Sequence, residues 1–289
     1  MRPFSESLFQ GAFNFSELDE GVKSTIRLAN QSPLTLYLFF HRYTYFNGYA
    51  STLISRLASS IGLSRYLFAD PHEPVMEAAD RGMQIATHVL AAAADEGANG
   101  GVCHRSLAQL TLQTAGDYAR LTTEQRNQFA QVPTWLEQIV QSLVIHYQGT
   151  PGDRASLVQA LGFHAASELL GDRENAVIDQ VIRFEGKASG FNRYMNEPVR
   201  QQMIQGHRYH PWAYILIHGQ HEGAGVEAEH FEDALNALNL CAQYQPHLSD
   251  QIQTWALEGF STFVKLQQRL FFEMRQESSI WLQPAATLH

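Results

Sequence analysis

Apolar positions recur at three- and four-residue spacing along almost the whole chain, the pattern of helices that bury one face. Ser32-Pro33 predicts a helix start, a capping residue followed by proline at the first helical position. From Leu34 an aromatic-rich stripe of Leu36, Phe40, Tyr43, Ala50, Leu53 and Leu57 predicts one helix toward Ile61, stopped by Gly62. Asn47-Gly48 falls inside that pattern and is not read as a hairpin turn. After the turn residues Asp70-Pro71, Pro74 opens a helix carrying Val75, Met76, Ala79, Met83, Ile85, Ala86, Val89 and Leu90, which runs to Asp95-Glu96-Gly97.

Helical spacing resumes over 102–114 and again over 135–147. A long helix follows the capping residue Asp153, through Leu157, Val158, Leu161, Ala165, Ala166, Leu169 and Leu170. The polar stretch 171–175 reads as a boundary before a further helix over 176–184. Pro198 and Pro211 mark later starts, and a helix rich in Phe and Leu covers 252–274. Alternating strand patterns and internal repeats are lacking. The expectation is an all-α bundle of about eight helices. It is one domain over 1–289, with its core at about 32–278, peripheral termini and a frayed tail from Pro284.

Charge and cysteine content narrow the function classes. The net charge is −9, which argues against a nucleic-acid surface, since that needs a basic stripe. Two cysteines, Cys103 and Cys241, support neither a disulfide framework nor a thiolate cluster. The N-terminus lacks a signal-peptide pattern, and apolar runs fall well short of the ~20 residues of a membrane span. A cytoplasmic protein that binds neither nucleic acid nor membrane is expected. Thirteen histidines against 20 Lys+Arg direct attention to ligand chemistry.

Three places set carboxylates and imidazoles in apolar surroundings. In the first, Glu96 ends one helix and His104 opens the next, across a glycine-rich break that lets both face one point. In the second, Glu168 sits in an apolar helix with no Lys or Arg at positions 164, 165, 171 or 172, so it is either exposed or bound to something positive. His164 lies one turn before it and could support it. In the third, His218, His221, Glu227, Glu229 and His230 crowd one stretch, and Glu227 and His230, three apart, share a helical face. A solvated loop or a histidine-rich surface is the plain alternative for each. Together they form the inventory of a non-haem diiron or dimanganese site, in which carboxylates offset the ionic charge and neutral imidazoles complete the shell. Zinc fits less well without cysteines. Only one Glu-x-x-His occurs, which disfavours a ferritin-like bundle.

In order and type these motifs resemble those of the heme-oxygenase-like diiron oxidases and oxygenases, whose fold is shared with thiaminase-II-type and pyrroloquinoline-quinone-synthase-type proteins. Asp95-Glu96-Gly97 with His104-Arg105-Ser106-Leu107, Ala165-Ala166-Ser167-Glu168, and Glu227-Ala228-Glu229-His230-Phe231 carry the likeness, as do Ala256-Leu257-Glu258-Gly259 and Phe271-Phe272. It covers roughly residues 34–275. One departure stands out: where the family has a histidine one turn before the acid of its third motif, this chain has Gly223. His218 or, as the alternate, His221 would have to fill that role; the apolar lead-in 214–217 favours His218.

The resemblance implies a heme-oxygenase-like bundle holding two iron ions, with manganese as the other candidate, on Glu96, His104, Glu168, His218, Glu227 and His230. It implies an oxidase or oxygenase that uses O2 on a small organic acid or amino-acid-like metabolite, and it leaves a homodimer open. Two other readings stand beside it: a metal-free protein of this fold that binds or hydrolyses a small heterocycle, and a non-catalytic helical interaction protein. Tyr43, Tyr45, Phe46 and Tyr49 read as core or pocket wall, and His88 and His146 as satisfied core histidines.

Overall fold

The computed structural model describes residues 4–68, 72, 74–78, 80–97, 101–219 and 226–283, with backbone alone for 77, 78, 188, 226 and 227. The described chain is all-α apart from one short hairpin. Its helices are α1 Glu6–Ala12, α2 Phe15–Ala29, α3 Pro33–Asn47, α4 Ala50–Gly62, α5 Val75–Ala78, α6 Arg81–Glu96 and α7 His104–Tyr118. After these come α8 Thr123–Phe129, α9 Thr134–Gln148, α10 Arg154–Asp179, α11 Phe191–Met195, α12 Ala213–His218, α13 Val226–Tyr244 and α14 Ser249–Leu282. No helix among the described residues is long and apolar enough to cross a membrane.

Several starts follow the sequence. Ser32 Oγ accepts the Thr35 N–H at 3.1 Å with Pro33 behind it, and Asp153 accepts the Ser156 N–H at 3.2 Å. Each satisfies an orphan amide of a helix's first turn.

Four differences have physical causes. The expected single helix from Leu34 to Ile61 is two, because α3 stops at Asn47 with Gly48 as its cap and α4 starts at Ala50. The 171–175 stretch does not end α10: the helix runs on to Asp179 with Glu174 and Asn175 buried, and only then loosens into a π turn over Gln180–Phe184. Residues before 32 are not peripheral, since α1 and α2 bury Phe9, Val22 and Ile26 against the core. A two-stranded hairpin pairs β1 Gln202–Ile204 with β2 His207–Tyr209. Its turn residues Gln205 and Gly206 both have positive φ, a geometry that a sequence search for Asn-Gly or Asp-Gly passes over. The tail from Pro284 lies outside the described residues.

Helix α10 is the axis of the bundle, in contact with α2, α4, α9, α12, α13 and α14. Its crossing with α14 is a backbone-to-backbone approach. A Cβ on Gly162 would stand 2.0 Å from the Ala256 carbonyl oxygen, and one on Gly259 would stand 1.9 Å from that of Gln159. Glycine at both positions therefore sets how closely the carboxylate-bearing helix and the C-terminal helix lie.

Candidate metal centre

Glu96 is the last residue of α6, His104 the first of α7, and His218 the last of α12. Three helix ends thus deliver three side chains to one point. His104 Nδ1 lies 3.0 Å from Glu96 Oε1, His218 Nε2 lies 3.1 Å from the same oxygen, and the two ring nitrogens are 3.0 Å apart. The rings meet edge to face, at 84° with centroids 4.6 Å apart. His218 Nδ1 donates to the Tyr214 carbonyl at 2.6 Å, which fixes the ring and leaves Nε2 to face the cluster. The Cys103 thiol donates to the Glu96 carbonyl at 3.7 Å and ties the start of α7 to the end of α6.

Burial alone would push the Glu96 carboxyl up. The hydrogen bonds and charges of His104 and His218 outweigh it and hold the group at about 2. Glu96 also sits at the C-terminal end of α6, and His218 at that of α12, where the helix dipoles disfavour an anion and favour a cation. These three residues are the group of His, Cys, Asp and Glu side chains that could hold a metal ion among the described residues.

Glu168 and His230 lie in a second cluster. Glu168 is 5% exposed and His230 is 2% exposed. Glu168 Oε1 is 3.1 Å from His164 Nδ1, and its Oε2 is 3.3 Å from His230 Nδ1. The other ring nitrogen of His230, Nε2, faces Asp95 Oδ2 at 3.2 Å. Tyr147 Oη bridges His164 Nδ1 at 3.0 Å and Ser167 Oγ at 2.6 Å. This cluster is a chain of paired groups rather than a triangle, because the two carboxylates meet His230 at different nitrogens.

Of the six candidate ligands, then, the structure gathers Glu96, His104 and His218 at one point and Glu168 with His230 in a neighbouring group. Only the helical backbone of Glu227 is described, and His221 lies outside the described residues. Glu229 is exposed, whereas its neighbour His230, about 100° round the helix, is buried. His88 is not a core residue: it is partly exposed and pairs with Asp233 at 2.8 Å. His146 is exposed as well, stacked on Phe163.

Sequence reasoning placed Asp95 in a motif without giving it a role, and it passed over Glu174. Asp95 was masked by its neighbour Glu96. Glu174 was hidden in a polar run, although it continues the α10 face of Ser167 and Gly171 at helical spacing.

Two cavities meet at Glu96. An inner one of about 60 Å³ is lined by Glu96 and Glu168 together with Tyr43, Tyr147, Glu174 and Tyr214. An outer cleft of about 490 Å³ shares Glu96 and Tyr214 and is walled by Tyr45, Tyr49, His41 and Arg105. Burial and the adjacent Arg42 push His41 down to about 4, so at neutral pH Arg105 is the cation among the cleft's lining residues. Its guanidinium is held by the Gly48 carbonyl.

No protein-family model matches the chain, and no curated protein or solved structure is significantly similar to it.

Proposed function

We propose that this is a non-haem iron oxidase or oxygenase of heme-oxygenase-like architecture, acting with O2 on a small organic acid. The observation that carries the reading is the triangle of Glu96 Oε1, His104 Nδ1 and His218 Nε2, whose sides are 3.0, 3.1 and 3.0 Å. Two adjacent ligands at the usual ~2.1 Å from an ion stand about 3.0 Å apart in an octahedron and about 3.4 Å apart in a tetrahedron. The triangle therefore fits one face of an octahedral ion. Two imidazoles and one carboxylate on such a face are the donor set of non-haem Fe(II) enzymes with open positions.

Glu96, His104 and His218 would hold one ion. Glu168 and His230, with Glu227 from the first turn of α13, are the candidates for a second. The shared wall of Glu96 and Glu168 on the inner cavity supports two neighbouring sites. Iron so held supplies O2 activation and redox equivalents.

The chain's own residues bind, orient and shield. Asp95 holds His230 from behind, and the Tyr214 carbonyl does the same for His218. Arg105 would receive a substrate carboxylate at the cleft mouth, leaving the rest of the molecule against Tyr45, Tyr49 and Tyr214 and directed at Glu96. Tyr43, Phe46 and Leu53 form part of the inner cavity's wall beside these groups.

The test is anaerobic Fe(II) loading of chelator-treated protein, read as metal per chain. Two equivalents are the expected result. One equivalent would retain only the Glu96, His104 and His218 site, a mononuclear reading that the compactness of that triangle favours over the looser second cluster. Loading near zero would overturn the metal reading and return the chain to a metal-free binding or hydrolytic role.

A further inference from the structure

Glu174 is a third carboxylate on the inner cavity, and the metal reading gives it no part. It lies on α10, six residues beyond Glu168, and is 4% exposed. Its partners are the Gln267 side-chain amide from α14, which donates to Oε1, and the Tyr43 hydroxyl from α3. No guanidinium or ammonium group is among them. Two neutral donors offset only part of the cost of burying an anion there, so the group keeps its proton to an unusual degree. Burial raises its pKa to about 7, against the opposing pull of the Gln267 and Tyr43 hydrogen bonds.

Tyr43 makes the release of that proton reversible. Its oxygen is also 3.3 Å from Asn175 Oδ1. The phenol has one hydrogen. While Glu174 is protonated, its O–H can donate to Tyr43, which donates onward to Asn175. Once the proton leaves, the same phenol hydrogen can turn to the carboxylate, joining the Gln267 amide. One hydroxyl rotation therefore serves both charge states.

From this geometry we infer that Glu174 is the proton donor of the inner cavity. The Glu174 O–H bond breaks, and the proton passes to a basic oxygen of a water or substrate that faces Glu96 and Glu168. The bond's electron pair stays on the carboxylate, which Gln267 and Tyr43 then stabilise. Besides Tyr43, the other ionisable groups facing this cavity are Glu96, Glu168, Tyr147 and Tyr214. Behind Gln267, an outer groove between α2 and α14 carries Glu17, Arg269 and Arg275. Gln267 lines that groove as well as holding Glu174, and reprotonation is placed along this side or through the cavity itself. The inference builds on the proposed function only in taking this cavity as the place of reaction.

The test uses the full chain without metal, so that its failure is separate from a failure to load iron. Infrared difference spectra would follow the C=O stretch of a protonated carboxylic acid. Wild type should show such a band at pH 6, and Glu174→Gln should lack it. The band should disappear with a midpoint near pH 7. After transfer to D2O it should shift well before the core amides exchange. Tyr43→Phe, which removes the donor to the carboxylate, should move the midpoint up by about one pH unit and slow the D2O shift. Should Glu174→Gln fold poorly, the wild-type titration and the Tyr43→Phe displacement still decide the matter. The inference is overturned if the band is absent at pH 6. It is equally overturned if the band ignores Tyr43→Phe and exchanges only as slowly as the core amides, which is the behaviour of a sealed structural acid.

Discussion

Glu96, largely buried, and Glu174, fully so, line the same small cavity, and their surroundings drive them in opposite directions. Glu96 faces two imidazoles and is held at about 2, despite burial and despite its place at a helix C-terminus. Glu174 faces an amide and a phenol and is raised to about 7. Burial is the largest influence on both, and it acts upward on both. What separates them is whether the neighbours can carry positive charge. The Glu96 end of the cavity is built to hold an anion beside two imidazoles. The amide end is built to hold a neutral acid. That contrast is the substance of the functional reading, and it can be broken from either end.

The largest effect belongs to the imidazole end. His218→Ala or His104→Ala removes one of three converging donors. Loss of a group that merely braces a metal ligand costs roughly 10–100-fold in metal affinity. Loss of a donor itself should exceed that, so one equivalent of Fe(II) should disappear in a competition titration while the helical circular-dichroism signal stays. A variant that loads like wild type would remove the imidazoles from the contrast and leave an ordinary buried ion pair.

Next in size is the pH dependence of stability in metal-free protein, where the two ends should slope in opposite senses. The unfolded chain ionises each carboxyl near its ordinary value of 4.5. Glu174 stays protonated in the fold up to about 7. Its contribution is therefore complete below pH 4.5 and is lost as pH rises toward 7. Glu96 ionises in the fold at about 2, so its contribution is complete above pH 4.5 and is lost as pH falls toward 2. Either shift corresponds to up to about 3 kcal/mol. Glu174→Gln should flatten the loss between pH 4.5 and 7, and Glu96→Gln should flatten the acid limb below 4.5. Urea denaturation at pH 3, 5 and 7.5 would show this. Parallel slopes in the two variants would mean that the two ends do not differ.

How much of this was legible in the sequence follows from the kind of signal each residue leaves. The all-α class, the caps at Ser32 and Asp153, and the meeting of Glu96 with His104 rest on local spacing, which periodicity and helix-capping chemistry expose directly. His218 was preferred to His221 only on its apolar lead-in, because the choice depends on where a helix end falls in space. Glu174 escaped because a run of polar residues normally marks a boundary. Here Asn175, Glu174 and Asp179 are all buried, satisfied by Tyr43, Gln267 and Trp212 from distant parts of the chain and, at Asp179, by Arg183 one turn further on. The same holds for the Gly162–Gly259 crossing: each glycine reads alone as a weak helix position, and only the partner helix gives it a reason.

A smaller effect tests the second cluster. Asp95 is 40% exposed and meets His230 Nε2 at 3.2 Å, so its hold on the ring is partly screened. Asp95→Asn should weaken the second iron equivalent by about 10–100-fold and leave the first in place. If the first equivalent falls instead, Asp95 acts on its neighbour Glu96 and the two clusters are one.

The smallest expected effect is the sharpest control, because it concerns a residue next in sequence to a candidate ligand. Glu229 and His230 are about 100° apart around α13. His230 is buried between Glu168 and Asp95, whereas Glu229 is exposed. A carboxylate in the first turn of a helix gains a few tenths of a kcal/mol from the dipole, and a surface substitution elsewhere stays within about ±0.5 kcal/mol. Glu229→Ala should therefore cost no more than this and should load iron like wild type. His230→Ala deprives Glu168 of the group 3.3 Å from its Oε2 and should lose the second equivalent. Metal analysis of the two variants side by side separates a buried, inward-facing histidine from a helix that is simply rich in acids and imidazoles. Equal iron in both would place His230 outside the centre and leave Glu96, His104 and His218 to hold a single ion.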